Sequence, residues 1–271
     1  MELSICLGDE LGRYHFGADH PFGPLRYPAF LEAFEERGLG QHCVVRSPRQ
    51  AMAAVIERFH TPAYVERVRD ASATGWGYLD YGDTPAVPGI YEAAAFVVGS
   101  VIDALGSMLA GELRRAFVPI AGLHHARRNR AAGFCVFNDC GVAIETAMAT
   151  PGIERIAYVD IDAHHGDGVF YAFESDPRVI VADTHQDGRT LYPGTGDASE
   201  TGRGEAKDTK LNIPLPPGAS DKDFFAAWPR IEAHLERFEP QLILFQCGVD
   251  SLAGDPITAL QLSEQAHAHA A

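Results

Sequence analysis

The chain has 271 residues, 46% of them hydrophobic and 22% charged, with 22 Lys+Arg against 37 Asp+Glu and a net charge of −15. These fractions exclude a disordered or fibrous chain, and the length provides one large domain or two modest ones with ample core. The acidic balance argues against a nucleic-acid binder, which needs a basic face, and is compatible with a cationic small substrate, although net charge steers approach without defining chemistry.

In chain order, the opening MELSICLGDE has no basic region ahead of an apolar one, so no export signal is expected. Strands are expected at 3–7, 116–120, 155–161, 179–182 and 242–247, in Val- and Ile-rich runs apolar on consecutive positions, as in strands covered on both faces. Between them, a helix is expected at 29–37, after Pro28 and before Gly38, with Phe30 and Phe34 one turn apart. A long apolar helix is expected at 88–110, whose interruption by Glu92 and Asp103 marks it as buried and not as a membrane span. A short one follows at 141–149. The last, 221–238, starts after Ser220 with Asp223 placed for a capping box, and Pro229 should kink or divide it. The alternation predicts an α/β domain with a mainly parallel sheet. Two segments, 76–88 and 186–217, read as long loops of the kind that carry sites. The five cysteines (Cys6, Cys43, Cys135, Cys140, Cys247) form no CxxC pair, which points to buried thiols in a reducing cytoplasm.

The densest chemistry lies in YVDIDAHHGDG (158–168). On an extended chain, Asp160, Asp162 and His164 at i, i+2 and i+4 would point the same way from a strand's carboxyl end, where open α/β sheets bind ligands. Two carboxylates and a histidine brought together out of water call for a cation; the plainer reading is a polar loop of solvated aspartates. A second apolar strand, QLILFQCGVD, ends in Asp250, which would reach the same cleft if the strands are neighbours and otherwise reads as a helix N-cap. Asp162, His164 and Asp250 would form a three-ligand site with open positions, suited to catalytic zinc and also to Fe(II), Co(II) or Mn(II). The tandem His124–His125 sits on a loop after a strand, and adjacent histidines are expected to face different directions and serve different roles. A partner among Asp160 and Asp167 would fix a ring's tautomer and raise its basicity, making a base for a metal-bound water.

Together these residues resemble the histone deacetylase superfamily, which includes bacterial acetoin-utilisation proteins and acetylpolyamine amidohydrolases. The matching motifs, in the family's order, are HPFGPLR (20–26), GDTPAVPGIYEAA (82–94), GLHHA…GFCVFND (122–139), YVDIDAHHGDG (158–168), YPGTGD (192–197) and GVDSLAGDP (248–256). The resemblance implies a single deacetylase-like domain over 1–271, with the three-layer arginase–deacetylase fold: a mainly parallel sheet of about eight strands with helices on both faces. It implies a zinc-dependent hydrolase that removes an acetyl or other acyl group from an acylated amine such as acetyl-lysine or acetylpolyamine. It assigns Asp162, His164 and Asp250 to zinc, and His124 and His125, paired with Asp160 and Asp167, to proton transfer. Gly133, Phe134 and Tyr192 would line the acyl tunnel, Asp83 would hold substrate backbone amides at the rim, and Arg26 would belong to an internal acetate channel. A structural potassium ion would take Asp160, Asp162, His164, Asp183 and Thr184, with Asp183 standing where many members carry Ser.

The family also carries a Tyr in a Gly-rich loop that donates to the oxyanion. The sequence ends at Ala271, fifteen positions beyond Pro256 and without such a loop, so the C-terminal part of the fold is expected to be truncated. Two other readings stay open. A weak or inactive acyl-amine binder would keep the pocket without turnover. A binuclear manganese ureohydrolase shares the fold, but Gly166 and Gly248 stand where those enzymes resemble a carboxylate pattern.

Overall fold

The computed structural model describes residues 3–271. Its contacts divide the chain into two compact units, one reaching to Thr146 and the other running from Ala147 to Ala271. Each contains a parallel sheet, so the chain is α/β as expected.

In the first unit, β1 (Leu3–Cys6) pairs with β2 (Val44–Arg46) on one side and β3 (Arg115–Phe117) on the other. β2 escaped the sequence reading because it is three residues long and its Val44 and Val45 are half exposed, so no buried apolar run marks it. The helix expected at 29–37 forms at Arg26–Glu36, and that expected at 88–110 forms at Ile90–Leu109. Ile90–Leu109 is long and apolar enough to cross a membrane by length and composition, but thirteen of its residues are buried within this unit. Gly99 explains part of that packing: a Cβ there would lie 2.1 Å from the Arg49 carbonyl oxygen, and the adjoining Ala51 N–H donates to Ala95 O. Pro62–Thr74, a helix with Pro at its start, was not anticipated.

In the second unit the strand order is β6-β5-β4-β7, with β4 Ile156–Asp160, β5 Val179–Gln186, β6 Lys210–Leu215 and β7 Leu242–Gln246. All residues of β4 and β5 are buried, which confirms that their unbroken apolar runs are covered on both faces. On one face, Ala157, Val159, Ile180 and Ala182 pack with Phe224, Ala227, Trp228 and Ile231 of the helix Asp221–Phe238. That helix begins as expected, with Ser220 N–H donating to Asp223 Oδ2 at 2.9 Å, but it runs undivided through Pro229. β6 lies inside the segment read as a loop. It is an edge strand, which tolerates Pro214, and its buried Lys210 is hydrogen-bonded to the carbonyls of Asp176 and Val179. Burial pushes the Lys210 ammonium down to about 8. Among the described residues there are thus seven strands in two sheets, where the resemblance implied one sheet of about eight.

Phe224 is fully buried and stacks on Trp228 with ring centroids 5.4 Å apart, whereas Phe225 beside it is 38% exposed. Phe224→Ala is expected to lower the unfolding free energy by about 3–5 kcal/mol and Phe225→Ala by less than about 1 kcal/mol, measured by urea denaturation.

Candidate metal centre

β4 and β7 are neighbours, with Asp160 in register with Gln246, so their carboxyl ends deliver two short segments to one place. The convergence there does not come from strand alternation. β4 ends at Asp160, and the chain bends twice beyond it: Asp162 N–H donates to Asp160 Oδ1 at 3.0 Å, and His164 N–H donates to Asp162 Oδ1 at 2.8 Å. Each carboxylate thus turns the backbone two residues ahead. Asp160 stays buried below the bend, where its Oδ2 accepts from Tyr158 Oη at 2.5 Å. The expectation that Asp160 shares a face with Asp162 and His164 is therefore corrected.

Asp162, His164 and Asp250 do come together, each offering a ligand atom within 4.8 Å of the others. His164 Nδ1 lies 3.1 Å from Asp162 Oδ1 and 2.7 Å from Asp250 Oδ2. Asp250 is held by Ala163 N–H, which donates to its Oδ1 at 2.8 Å, and Asp162 by Gln246, whose Nε2 donates to Oδ2 at 3.0 Å. Burial by itself would push the His164 imidazole down, but hydrogen bonds and charge from both aspartates override it and raise it to about 10. Asp250 is raised to about 6 by burial and by the charge of Asp162. Two carboxylates that hold a proton between them on a histidine form a donor set that a dication fits, the cation displacing the proton. Gly248 makes room: a Cβ there would lie 2.1 Å from Asp162 Oδ2. A Cβ at Gly166 would lie 2.6 Å from Asp160 Oδ2. Tyr192, 44% exposed, has its ring 6.4 Å from that of His164.

Behind the triad, Asp183 lies in register with Asp160 on β5, and both are wholly buried, as is Thr184 nearby. Asp183 Oδ2 accepts from Gly166 N–H at 2.9 Å, and its Oδ1 is 2.6 Å from His185 Nδ1. His185 Nε2 lies 2.9 Å from Gly196 O, so both ring nitrogens face acceptors. Burial opposes a charge on His185, but Asp183 raises it. The neighbouring His165 is instead lowered to about 3, by burial and by His185, and its Nδ1 meets Thr195 Oγ1 at 2.8 Å. These contacts fasten the YPGTGD loop. Asp167 is buried at the start of the helix Asp167–Ala172.

In the first unit, His124 and His125 are both buried, and their Nε2 atoms lie 3.1 Å apart. Contrary to expectation the two rings converge, with centroids 4.1 Å apart. Two residues the sequence reading passed over hold the loop. Asp139 accepts from Gly122 N–H and Leu123 N–H at 2.9 and 2.8 Å, and Asn138 Nδ2 donates to His124 O and Ala126 O at 3.1 and 2.9 Å. Burial raises the Asp139 carboxyl despite these amides. Asn138 N–H donates in turn to His60 Nε2 at 2.9 Å, and burial lowers His60 to about 3, leaving its ring neutral. The available signal was the FND triplet at the start of the helix Asp139–Met148, where polar side chains cap backbone groups.

Asp83 is exposed, on a turn organised by Asp80, whose Oδ1 accepts from the N–H groups of Gly82, Asp83 and Thr84. A hydrogen bond with Asp80 raises the Asp83 carboxyl to about 6, reinforced by burial and charge. Gly133 and Phe134 form a tight turn, and Phe134 is half-buried. Arg26 is exposed, with its guanidinium 4.5 Å over the Phe22 ring, and so is not the interior residue the resemblance implied.

A family model for the histone deacetylase domain matches residues 20–271. The chain belongs to the histone deacetylase family. It is 34% identical to the acetoin utilization protein AcuC of Bacillus subtilis over 255 residues, covering 91% of this chain and 66% of that protein. It is 32% identical to histone deacetylase clr6 of Schizosaccharomyces pombe (98% and 67%) and 34% identical to a probable deacetylase of Archaeoglobus fulgidus (99% and 74%). The chain thus spans about two thirds of the length of the curated relatives it matches. The crystal structure of the HDA15 HD domain superposes with a TM-score of 0.90 at 26% identity, covering 99% of this chain and 78% of that one. The fold is therefore that of the histone deacetylases, and family membership classes the chain with hydrolases of amides.

Gly248→Ala is expected to weaken divalent-metal binding at least tenfold, because the new methyl displaces Asp162 while the fold persists; chelator competition with circular dichroism checks both.

Proposed function

We propose that this chain removes an acetyl or related acyl group from an acylated amine, acetyl-lysine or an acetylpolyamine, with zinc as its metal and Fe(II) or Co(II) as alternatives. The observation that carries the reading is the convergence of Asp162, His164 and Asp250 within 4.8 Å in a chain matched over 20–271 by the histone deacetylase family. A dication held by these three would supply Lewis acidity toward the acyl oxygen and acidify a water.

The chain's own groups carry the rest of the proposal. His124 and His125 accept a proton from water and return one to the departing amine, with Asp160 and Asp167 as their carboxylates in the family motif. Asp139 and Asn138 fix the histidine loop so that the rings need no reorganisation. Asp83 accepts from N–H groups of the substrate, and Gly133, Phe134 and Tyr192 supply contacts to its acyl chain. The single-domain reading over 1–271 belongs to this proposal, as does an inner potassium ion at Asp160, Asp162, His164, Asp183 and Thr184. Two buried carboxylates in register support such an ion, which would offset their charge. The −15 net charge favours a cationic substrate over nucleic acid, and the cysteine pattern favours a reducing cytoplasm. The crowding at Gly166 and Gly248 supports one catalytic metal over the binuclear manganese arrangement.

A fluorogenic acetyl-lysine substrate tests the reading: turnover should need a dication, stop with chelator and return with Zn²⁺, and no turnover with any of the three metals would refute it. His125→Ala should reduce kcat by about 10²–10⁴ while bound zinc is unchanged by elemental analysis.

A second expectation concerns pH. Asp83 is neutral below about 6 and anionic above it, so KM should fall as pH rises from 5 to 7. In Asp80→Asn that inflection should move down toward the ordinary carboxylate range, as read from the pH profile of kcat/KM.

A further inference from the structure

Phe134 occupies a backbone position that its residue type does not favour. Ala132 and Cys135 exchange two hydrogen bonds, Ala132 N–H to Cys135 O at 3.2 Å and Cys135 N–H to Ala132 O at 2.9 Å. The two residues between them, Gly133 at φ 53° and Phe134 at φ 66°, both lie in the left-handed region. This is a type I′ hairpin turn, which requires positive φ at both central positions and favours Gly there. Glycine accepts that conformation without strain, whereas a bulky aromatic residue does so rarely. The turn alone therefore does not account for Phe134; a Gly would make it more readily.

Both backbone polar groups of Phe134 are held by side chains from distant segments of the same unit. Its N–H donates to Thr84 Oγ1 at 3.1 Å, and its carbonyl accepts from Tyr14 Oη at 2.7 Å. Each hydroxyl is itself fixed. Thr84 Oγ1 donates to Asp80 Oδ2 at 2.5 Å, which turns its lone pairs toward Phe134, and Tyr14 Oη accepts from Val136 N–H at 2.9 Å. Thr84 is wholly buried and Tyr14 is 1% exposed, so water does not compete for either bond. The Phe134 ring is braced at its edge by His20, with centroids 4.6 Å apart, and His20 Nε2 donates to the Asp83 carbonyl at 3.0 Å. Side chains that over-determine a strained residue mark a place where its geometry serves a function.

We propose that Thr84 and Tyr14 are positioning residues that clamp Phe134 in the left-handed turn, so that its ring meets the acylated chain of the substrate at a fixed angle. This deepens the deacylase reading and rests on it. Asp83 is set separately, by Asp80 Oδ1, which accepts from the Asp83 N–H, so the Thr84 hydroxyl acts through Phe134. Loosening the clamp affects how well substrate is held before it affects proton transfer.

The test is Thr84→Val, which keeps the shape and removes the acceptor, with Thr84→Ser as rescue. Amide exchange at Phe134, read by NMR, should accelerate about tenfold in Thr84→Val and return to the parent rate in Thr84→Ser. On an acetyl-lysine peptide, KM should rise about tenfold while kcat changes by less than about threefold, again with rescue by Ser. In a Phe134→Gly background, where no strain needs holding, Thr84→Val should add nothing to KM. If Thr84→Val does not fold, Tyr14→Phe carries the same expectations from the carbonyl side. A parent-like KM in an active Thr84→Val, failure of Ser to rescue, or additive effects with Phe134→Gly would each overturn the clamp while leaving the deacylase reading intact. An inactive parent protein would overturn that reading and the substrate role of the clamp together, and the exchange rates would still decide whether the clamp exists.

Discussion

Two carboxylates that share a histidine at the tips of β4 and β7 are the constraint around which the second unit is built. Asp162 and Asp250 lie close enough for His164 Nδ1 to contact both, at 3.1 and 2.7 Å, in a site largely removed from water. Like charges so placed repel unless something positive stands between them. His164 contacts both of them, and a dication held among the three would offset both carboxylates. Much nearby detail follows from keeping these groups converged. Gly248 leaves space for Asp162, Gln246 donates to it, and Ala163 N–H fixes Asp250. Even Asp160, which does not join the triad, bends the chain so that Asp162 can.

The first unit positions its histidine pair through hydrogen bonds to the backbone. His124 and His125 need a defined orientation if their nitrogens are to meet at 3.1 Å, and a loop does not supply one by itself. Asn138 and Asp139, at the start of a helix, bind the loop's carbonyls and amides and transfer the helix's rigidity to it. The hydrogen bond from Asn138 to the uncharged His60 extends that anchoring into the core. The Phe134 turn works likewise, with Tyr14 and Thr84 supplying hydrogen bonds the local backbone lacks. In both cases an irregular segment becomes exact because buried side chains satisfy its polar groups.

The site was legible wherever chemistry depends on residue type and spacing. The grouping of Asp162, His164 and Asp250 could be read because carboxylates and a histidine following buried strands are costly without a cation. Strand alternation alone does not bring them together. Alternation along a strand would have placed Asp160 with Asp162 and His164, whereas hydrogen-bonded bends set Asp160 apart. Residues acting through backbone contacts, Asp139, Asn138, Gln246 and Thr84, were passed over because their partners are remote in sequence or belong to the main chain. The strands β2 and β6 were missed because edge strands need no continuous apolar run, and β6 carries Lys210 and Pro214.

The sequence by itself determined the α/β class, the buried central strands β4 and β5, the helix Asp221–Phe238 with its cap, and the family through the order of its motifs. These follow from local periodicity, capping chemistry and residue identity, which neighbouring positions carry. Only the tertiary structure decided the pairing of β4 with β7 that brings Asp250 to His164, the inward turn of the two histidine rings, and the holding of Phe134 at positive φ. Each depends on a hydrogen bond or a charge contact between residues that are distant in the chain or forced together against their local preference, and no local pattern encodes where those partners will meet.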